Sequence, residues 1–309
     1  MQIPAQQMLG LTLDGGWKVV QRVERPRTAT GGFFSCGYVV ESEDGERGFL
    51  KALDYSGAFL SQDPARHLEA MTQAFNFERM LCEKCQNKRL RRVVNAIRDG
   101  KVTIDPSNPA TVVQYLIFEL ADGDIRKHMD TLDRFDVAWA LRTLHHVATG
   151  LRELHMSGIA HQDLKPSNVL VFKELGSKVA DLGRAAYVGA AGPNDEFAVA
   201  GDIQYAPPEL LYKYVLPDWG QRRFGCDAYH LGSLVVFLFA RTNMTGLLFA
   251  HLPSEYHWRV WNGSFEDALP HLRQAFGLRL PRLSWEFDLR PGDSSSTLRD
   301  GLLHVNGFA

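Results

Sequence analysis

The sequence predicts an α+β fold in two lobes, a strand-rich first part carrying one long helix and a helical second part. Strand-like runs of alternating or β-branched residues are confined to the stretch before Leu120, and a single helical period interrupts them. After Ala121 the period is helical. The division implied is residues 1–120 and residues 121–309.

Taken in order, Trp17 to Val23 alternates apolar and polar side chains, which on a strand sends one set to each face. Gly37 to Ser42, Gly48 to Leu53 and Thr111 to Glu119 repeat the pattern, so an antiparallel sheet is expected. Within that series, Pro64 to Lys88 sets Leu68, Met71, Ala74, Phe75 and Phe77 at near-helical spacing. Pro64 suits a first turn, where a missing N–H costs nothing. Beyond Ala121, Val137 to His155 places Leu141, Leu144, Val147, Leu151 and Leu154 on one face, and Tyr229 to Ala240 reads as a helix buried on all sides. No internal repeat or flexible linker interrupts the pattern.

Composition narrows the function classes. A chain of 309 residues can bury a sizeable core, and 45% hydrophobic with 23% charged residues is ordinary for a globular protein. A net charge of -2 gives no reason to expect nucleic acid or an anionic membrane as partner. The most apolar run, Leu231 to Ala240, falls short of the ~20 residues that span a bilayer. The N-terminus MQIPAQQMLG lacks the basic and apolar pattern of a signal peptide, so a cytoplasmic protein is expected. The cysteines Cys36, Cys82, Cys85 and Cys226 are too scattered for a disulfide framework. Cys82 and Cys85 fall inside the expected helix with no second CxxC or HxxxH nearby, and read as small helix residues.

The strongest chemical signal is His161-Gln-Asp-Leu-Lys-Pro-Ser-Asn168, followed by Asp181-Leu-Gly183. Asp163 can orient or deprotonate a hydroxyl, Lys165 can meet phosphate charge, and the oxygens of Asn168 and Asp181 can hold Mg²⁺. Phosphoryl transfer needs these four chemistries in one place. The first motif resembles the HRDLKPxN catalytic loop of eukaryotic-type Ser/Thr protein kinases, and DLG resembles their DFG. The resemblance extends over nearly the whole chain. It implies the bilobal kinase fold, ATP and Mg²⁺ as cofactors, and a protein substrate with a Ser or Thr hydroxyl.

Carried onto this sequence, the resemblance makes Lys51 in GFLKALD the lysine that meets the nucleotide phosphates and Glu78 in FNFERML its partner. Their spacing of 27 residues exceeds the usual one, with SGAFLSQDPARH as the excess. Glu69 is the lesser candidate, since no apolar residue stands three positions before it. The glycine-rich loop departs from GxGxxGxV: Gly31, Gly32 and Phe33 are placed at its tip and Ser35 near the third glycine, with a plain strand-to-strand turn as the alternative. Phe49 stands where the family has a small residue against adenine, and either stacks on the base or crowds it. Leu116 to Asp124 resembles the hinge, with Phe118 as gatekeeper and the backbone of Glu119 and Ala121 meeting the adenine edge. Asp124 either meets the ribose or caps the helix that follows. His161 is expected to be a packed residue beneath the magnesium loop.

Gly201-Asp-Ile-Gln-Tyr-Ala-Pro-Pro-Glu209 resembles the end of an activation segment. Glu209 should pair with a C-terminal arginine, Arg290 first and Arg282 or Arg279 as alternatives, and Asp227 should brace the catalytic loop. Asp202 replaces the usual Thr. Two further readings compete with an active kinase: a pseudokinase scaffold, which retention of every charged catalytic group opposes, and a small-molecule phosphotransferase, which the PPE segment opposes. The sequence ends shortly after Arg290, which predicts control by the domain itself or by a regulatory protein partner. Gln162 replaces the arginine that would pair with a phosphorylated loop, and Arg184 to Gln204 contains no Ser or Thr. Activity independent of activation-loop phosphorylation is expected.

Overall fold

The computed structural model describes residues 3–24, 35–108 and 111–283, with side chains described to residue 277. The first part is a six-stranded antiparallel sheet made of β1 (Thr12–Leu13), β2 (Trp17–Val23), β3 (Ser35–Glu41), β4 (Arg47–Leu53), β5 (Ala96–Thr103) and β6 (Val112–Glu119), in the order β1-β2-β3-β4-β6-β5. Trp17, Val19, Tyr38, Val40, Leu50, Ala52, Tyr115 and Ile117 bury one face of it. The alternation read from the sequence is the alternation of that face.

Strand β5 carries no such signal. Its AIRDGKVT is half-exposed, and the central Asp99-Gly100 reads as a turn. Gly100 is needed there because a Cβ would collide with the buried ring of Tyr115 on β6. Ahead of α1 (Pro64–Asn87), the SGAFL residues of the long spacer form a 3-10 turn over Tyr55–Leu60. Asp63 caps α1 by accepting from the Arg66 N–H, and Met71, Phe75, Glu78, Leu81, Cys82 and Cys85 line its buried side. Both cysteines of the CxxC are thus core residues.

The second part begins with β7 (Gly123–Asp124) and α2 (Ile125–Asp130), then α3 (Val137–Met156), β8 (Ile159–Ala160), β9 (Val169–Phe172), β10 (Gly176–Val179) and β11 (Ala186–Tyr187). Beyond these come α4 (Pro208–Leu211), α5 (Trp219–Ala240), α6 (Met244–His251) and α7 (Phe265–Leu283). Strands β10, β9 and β7 form one small sheet, and β11 pairs with β8 in another. Together they set the loops of the site above the helices.

Val147, Leu151 and Leu154 of α3 lie on its buried face as the sequence reading has them, with Leu144 packed beside the core, and the two helices depart from that reading at Leu141 and at the start of α5. The buried face of α3 is Ala140, Thr143, Val147, Gly150, Leu151 and Leu154, and Leu141 is 41% exposed. Ala140, Thr143 and Gly150 share that face with Val147, Leu151 and Leu154, and at Gly150 the backbone approaches closely. A Cβ on Gly150 would sit 2.7 Å from the Arg92 carbonyl oxygen and 3.0 Å from the Val179 side chain. Helix α5 begins ten residues before Tyr229, and its early turns bury Arg223, Cys226, Asp227 and His230. Hydropathy cannot see a buried segment whose polar groups are satisfied by a network. No single helix among the described residues is long and apolar enough to cross a membrane.

Candidate active site

Alternation on β4 sends Leu50 and Ala52 into the core and leaves Phe49 and Lys51 on the opposite face, toward the cleft. The Lys51 ammonium donates to both carboxylate oxygens of Glu78, at 2.7 and 2.9 Å, and to Oδ1 of Asp181 at 3.2 Å. Burial alone would draw the ammonium down, but the carboxylates of Asp181 and Glu78 outweigh it and hold Lys51 above the usual lysine range. The Lys51 charge in turn holds Asp181 down to about 2. Glu78, in the register read from FNFERML, is 5% exposed on α1. Sheet, helix and magnesium loop therefore meet on one ammonium.

The catalytic loop is fixed from beneath by Asp227, which is fully buried on α5. Its Oδ2 accepts the His161 N–H at 2.7 Å and its Oδ1 the Gln162 N–H at 2.8 Å, while the His155 Nε2 lies 2.8 Å from Oδ2. This grip holds Gln162 at φ 64, a left-handed conformation that a non-glycine residue seldom adopts. His161 is fully buried, its Nε2 2.9 Å from the Ala180 carbonyl and its Nδ1 accepting the Asp163 N–H at 3.2 Å. Both ring nitrogens are occupied, and it is the packed residue expected.

Asp163 accepts the Asp202 N–H at 2.8 Å on Oδ1 and lies 3.2 Å from the Lys165 ammonium through Oδ2. Burial raises its proton affinity above the ordinary carboxylate range, and Lys165 and the Asp202 N–H oppose that rise. The Asn168 amide nitrogen donates to the Asp163 carbonyl at 2.8 Å, and its oxygen accepts from the Ser167 hydroxyl at 3.2 Å with a second lone pair left to serve a ligand. Lys165 also donates to Asp202 at 3.3 Å. The Asp that stands in place of Thr thus makes both contacts, to the acid and to its lysine.

At the junction of the lobes Phe49 and Phe118 are cross-strand partners on β4 and β6, and the Phe49 ring lies over Gly37 of β3, where a Cβ would stand 3.0 Å from it. The Glu119 N–H is committed to the Asn95 carbonyl at 3.1 Å. Its carboxylate accepts from Lys178 at 2.6 and 2.7 Å and from the Asn95 N–H at 2.6 Å. Asp124 caps α2, accepting from the N–H groups of Arg126 and Lys127, and pairs with the Arg126 guanidinium at 2.7 Å. The capping alternative is realised.

Glu209 is half-buried, and burial pushes its carboxyl above the ordinary range. Among the described residues no cation pairs with it. Arg290 lies outside the described residues, as do the side chains of Arg279 and Arg282. Gly31, Gly32 and Phe33 also lie outside them. Sequence reasoning missed Lys178 and Arg223. Each is a cation on a core-facing element whose acidic partner lies far along the chain, Glu119 for the first and Asp195 for the second.

Comparison with known proteins agrees with this geometry. Residues 31–247 match the family described as protein kinase domain. An Aurora kinase from Debaryomyces hansenii is 29% identical over 121 residues, 39% of this chain and 28% of that protein. A probable cyclin-dependent kinase 8 from Dictyostelium discoideum is 36% identical over 113 residues, 34% of this chain and 30% of that protein. LysM domain receptor-like kinase 10 from Oryza sativa subsp. japonica is 32% identical over 127 residues, 38% of this chain and 21% of that protein. The match thus spans less than a third of the length of each of these relatives.

Proposed function

The chain belongs to the protein kinase family, and on that premise we propose that it transfers the γ-phosphoryl of ATP to a Ser or Thr hydroxyl of a protein substrate, in the cytoplasm and without phosphorylation of its own activation segment. The observation that carries the reading is the closed set of contacts Glu78–Lys51–Asp181 above and Asp202–Asp163–Lys165–Asn168 below. All six charged or metal-binding groups of the motif are present and engaged.

Each residue then has a role. Lys51, aligned by Glu78, meets the nucleotide phosphates. Asp163, pinned by the Asp202 N–H, receives or orients the hydroxyl proton, and Lys165 screens the transferring phosphoryl. Gly31 and Gly32 belong to the loop over the phosphates. At the hinge the carbonyl of Glu119 and the backbone of Ala121 face the adenine edge, since the Glu119 N–H is already used. Asp124 can still reach a ribose hydroxyl only while capping α2 and pairing with Arg126.

The donor set fits Mg²⁺. The Lys51 charge holds the Asp181 carboxyl down to about 2, that carboxylate bonds only through Oδ1 among the described residues, and Asn168 offers the lone pair of its amide oxygen that the Ser167 hydroxyl leaves. Both are hard oxygen ligands. When bound, Mg²⁺ neutralises phosphate charge and orients the γ-phosphoryl for in-line transfer.

Incubation with γ-labelled ATP, Mg²⁺ and a generic protein substrate, followed by phosphoamino-acid analysis, tests the proposal. Label on Ser or Thr is expected. Label confined to Tyr or to a small-molecule alcohol contradicts it, and ATP binding without transfer favours the scaffold reading.

A further inference from the structure

The turn Gly192–Asp195, midway along the activation segment, is tied to three separate parts of the molecule. Asn194 is 6% exposed, donates to the Gly183 carbonyl at 3.1 Å and accepts from the Arg184 guanidinium at 3.0 Å. That holds the turn to the magnesium loop. A Cβ on Gly192 would stand 3.1 Å from the Phe77 ring, so the turn packs on α1 one residue from Glu78. The Asp195 carboxylate accepts the Gly192 N–H at 2.7 Å on Oδ2 and the Arg223 guanidinium at 2.9 Å on Oδ1.

Arg223 is 5% exposed on α5 and leads back to the catalytic loop. Its Nη1 donates to the Gln162 side-chain oxygen at 3.2 Å, and the Gln162 amide donates to the Arg223 carbonyl at 2.7 Å and to Asp227 Oδ1 at 3.2 Å. Gln162 directly precedes Asp163. A fixed carboxylate on the segment is thus joined through one arginine to the loop that carries the candidate base. The arginine comes from α5, and the amide at 162 accepts from it without adding a second positive charge beside it. Asn194 and Asp195 brace both ends of the site from one turn.

We propose that Asp195 and Arg223 are positioning residues, a permanent ionic latch that orders the activation segment and fixes Gln162-Asp163 without any added phosphate. A charge-assisted pair with one member almost fully buried has the strength that this requires. The part of the inference that concerns rate rests on the proposed phosphoryl transfer. The part that concerns order does not.

Amide hydrogen exchange on phosphatase-treated full chain separates the two. The native protein should protect the amides of Gly192, Asp195 and Phe197, which donate to Asp195, Gly192 and Asn194 respectively. Asp195→Asn, which keeps the shape and loses the charge, should speed exchange at these amides by about ten- to a hundredfold. Protection in α3 should not change, which shows that the fold is intact. In the same variant kcat should fall about tenfold or more while KM for ATP stays near native, and Asp195→Glu should recover part of the rate. Native-like exchange in Asp195→Asn, or free exchange of these amides in the phosphatase-treated native chain, overturns the latch. Protection without phosphoryl transfer upholds the latch and contradicts the enzymatic reading alone.

Discussion

The backbone N–H of Asp202 donates to Oδ1 of Asp163 at 2.8 Å, which ties the end of the activation segment to the candidate base by a bond that substitutions at position 202 other than proline leave in place. What substitution of Asp202 removes from the site is the contact of its carboxylate with Lys165 at 3.3 Å, besides a local bond from the Gln204 N–H at 3.0 Å. Asp202→Thr should therefore stay within about threefold of native kcat, and Asp202→Ala should lose about three- to tenfold, the value of one modest polar contact. Gly201→Ala should be far worse, because its Cβ would run into the Gln162 carbonyl oxygen. Steady-state kinetics on the three variants decides this. A harmless Gly201→Ala would show that the segment does not sit against the loop as described.

Lys51 and Asp181 are in contact yet should fail differently. Asp181→Ala should abolish the Mg²⁺ dependence of nucleotide binding, and Lys51→Met should leave that dependence and remove turnover. Calorimetric ATP titrations with and without Mg²⁺ separate the two. The same pair has a stability signature. Because the folded state holds the Asp181 carboxyl at about 2, below its unfolded value near 4, its stabilisation is complete above pH ~4 and is lost as pH falls toward 2. Asp181→Asn should flatten the acid-unfolding slope in that window, and an unaltered slope would contradict the pairing.

Asp163 supplies a pH test of opposite sign. Burial raises its carboxyl above the ordinary range and Lys165 opposes the rise. A base works only when ionised, so kcat/KM should fall on the acid side as pH drops through that raised value. Lys165→Met removes the opposing charge and should move the acid limb to higher pH, besides lowering the rate. A limb that does not move would mean that another group titrates.

Phe118 and Phe49 sit opposite each other on adjacent strands and should leave little space behind the adenine. Phe118→Gly should accept bulky N6-substituted ATP analogues that the native chain excludes. Equal use of such analogues by both would place the hinge in another register.

Tyr187 is the hydroxyl-bearing residue between Arg184 and Gln204, and its ring lies 4.7 Å from the Lys84 ammonium on α1. That cation–π contact needs the ring and not the hydroxyl. Tyr187→Phe should keep the specific activity of the native chain before and after phosphatase treatment. A large loss in either condition would show that a phosphate on this tyrosine matters.

The sheet and the catalytic motifs were legible because each is a local pattern. Alternation gave β2 and β4 to within a residue, and DLKPSN carries its chemistry in its own spacing. What was hidden is non-local. Strand β5 depends on Tyr115 lying over Gly100, the inner face of α3 on the close approach of Gly150 to Arg92, and the start of α5 on polar groups that only a network makes burial-compatible. The pairs Glu119–Lys178 and Asp195–Arg223 join residues 59 and 28 positions apart, and no periodicity announces them. In the site, Asp202 looked like a departure from the family pattern until its backbone and carboxylate were seen to divide the work between Asp163 and Lys165.

The central claim, that Asp163 serves phosphoryl transfer to a hydroxyl, is tested most directly by comparing the initial rate of labelled-phosphate transfer from ATP by the native chain and by Asp163→Asn, with ATP affinity measured on both. The account predicts a loss of about a hundred- to ten-thousandfold in rate at nearly unchanged affinity, since a positioned base contributes on that order. Transfer by Asp163→Asn at the native rate would contradict it.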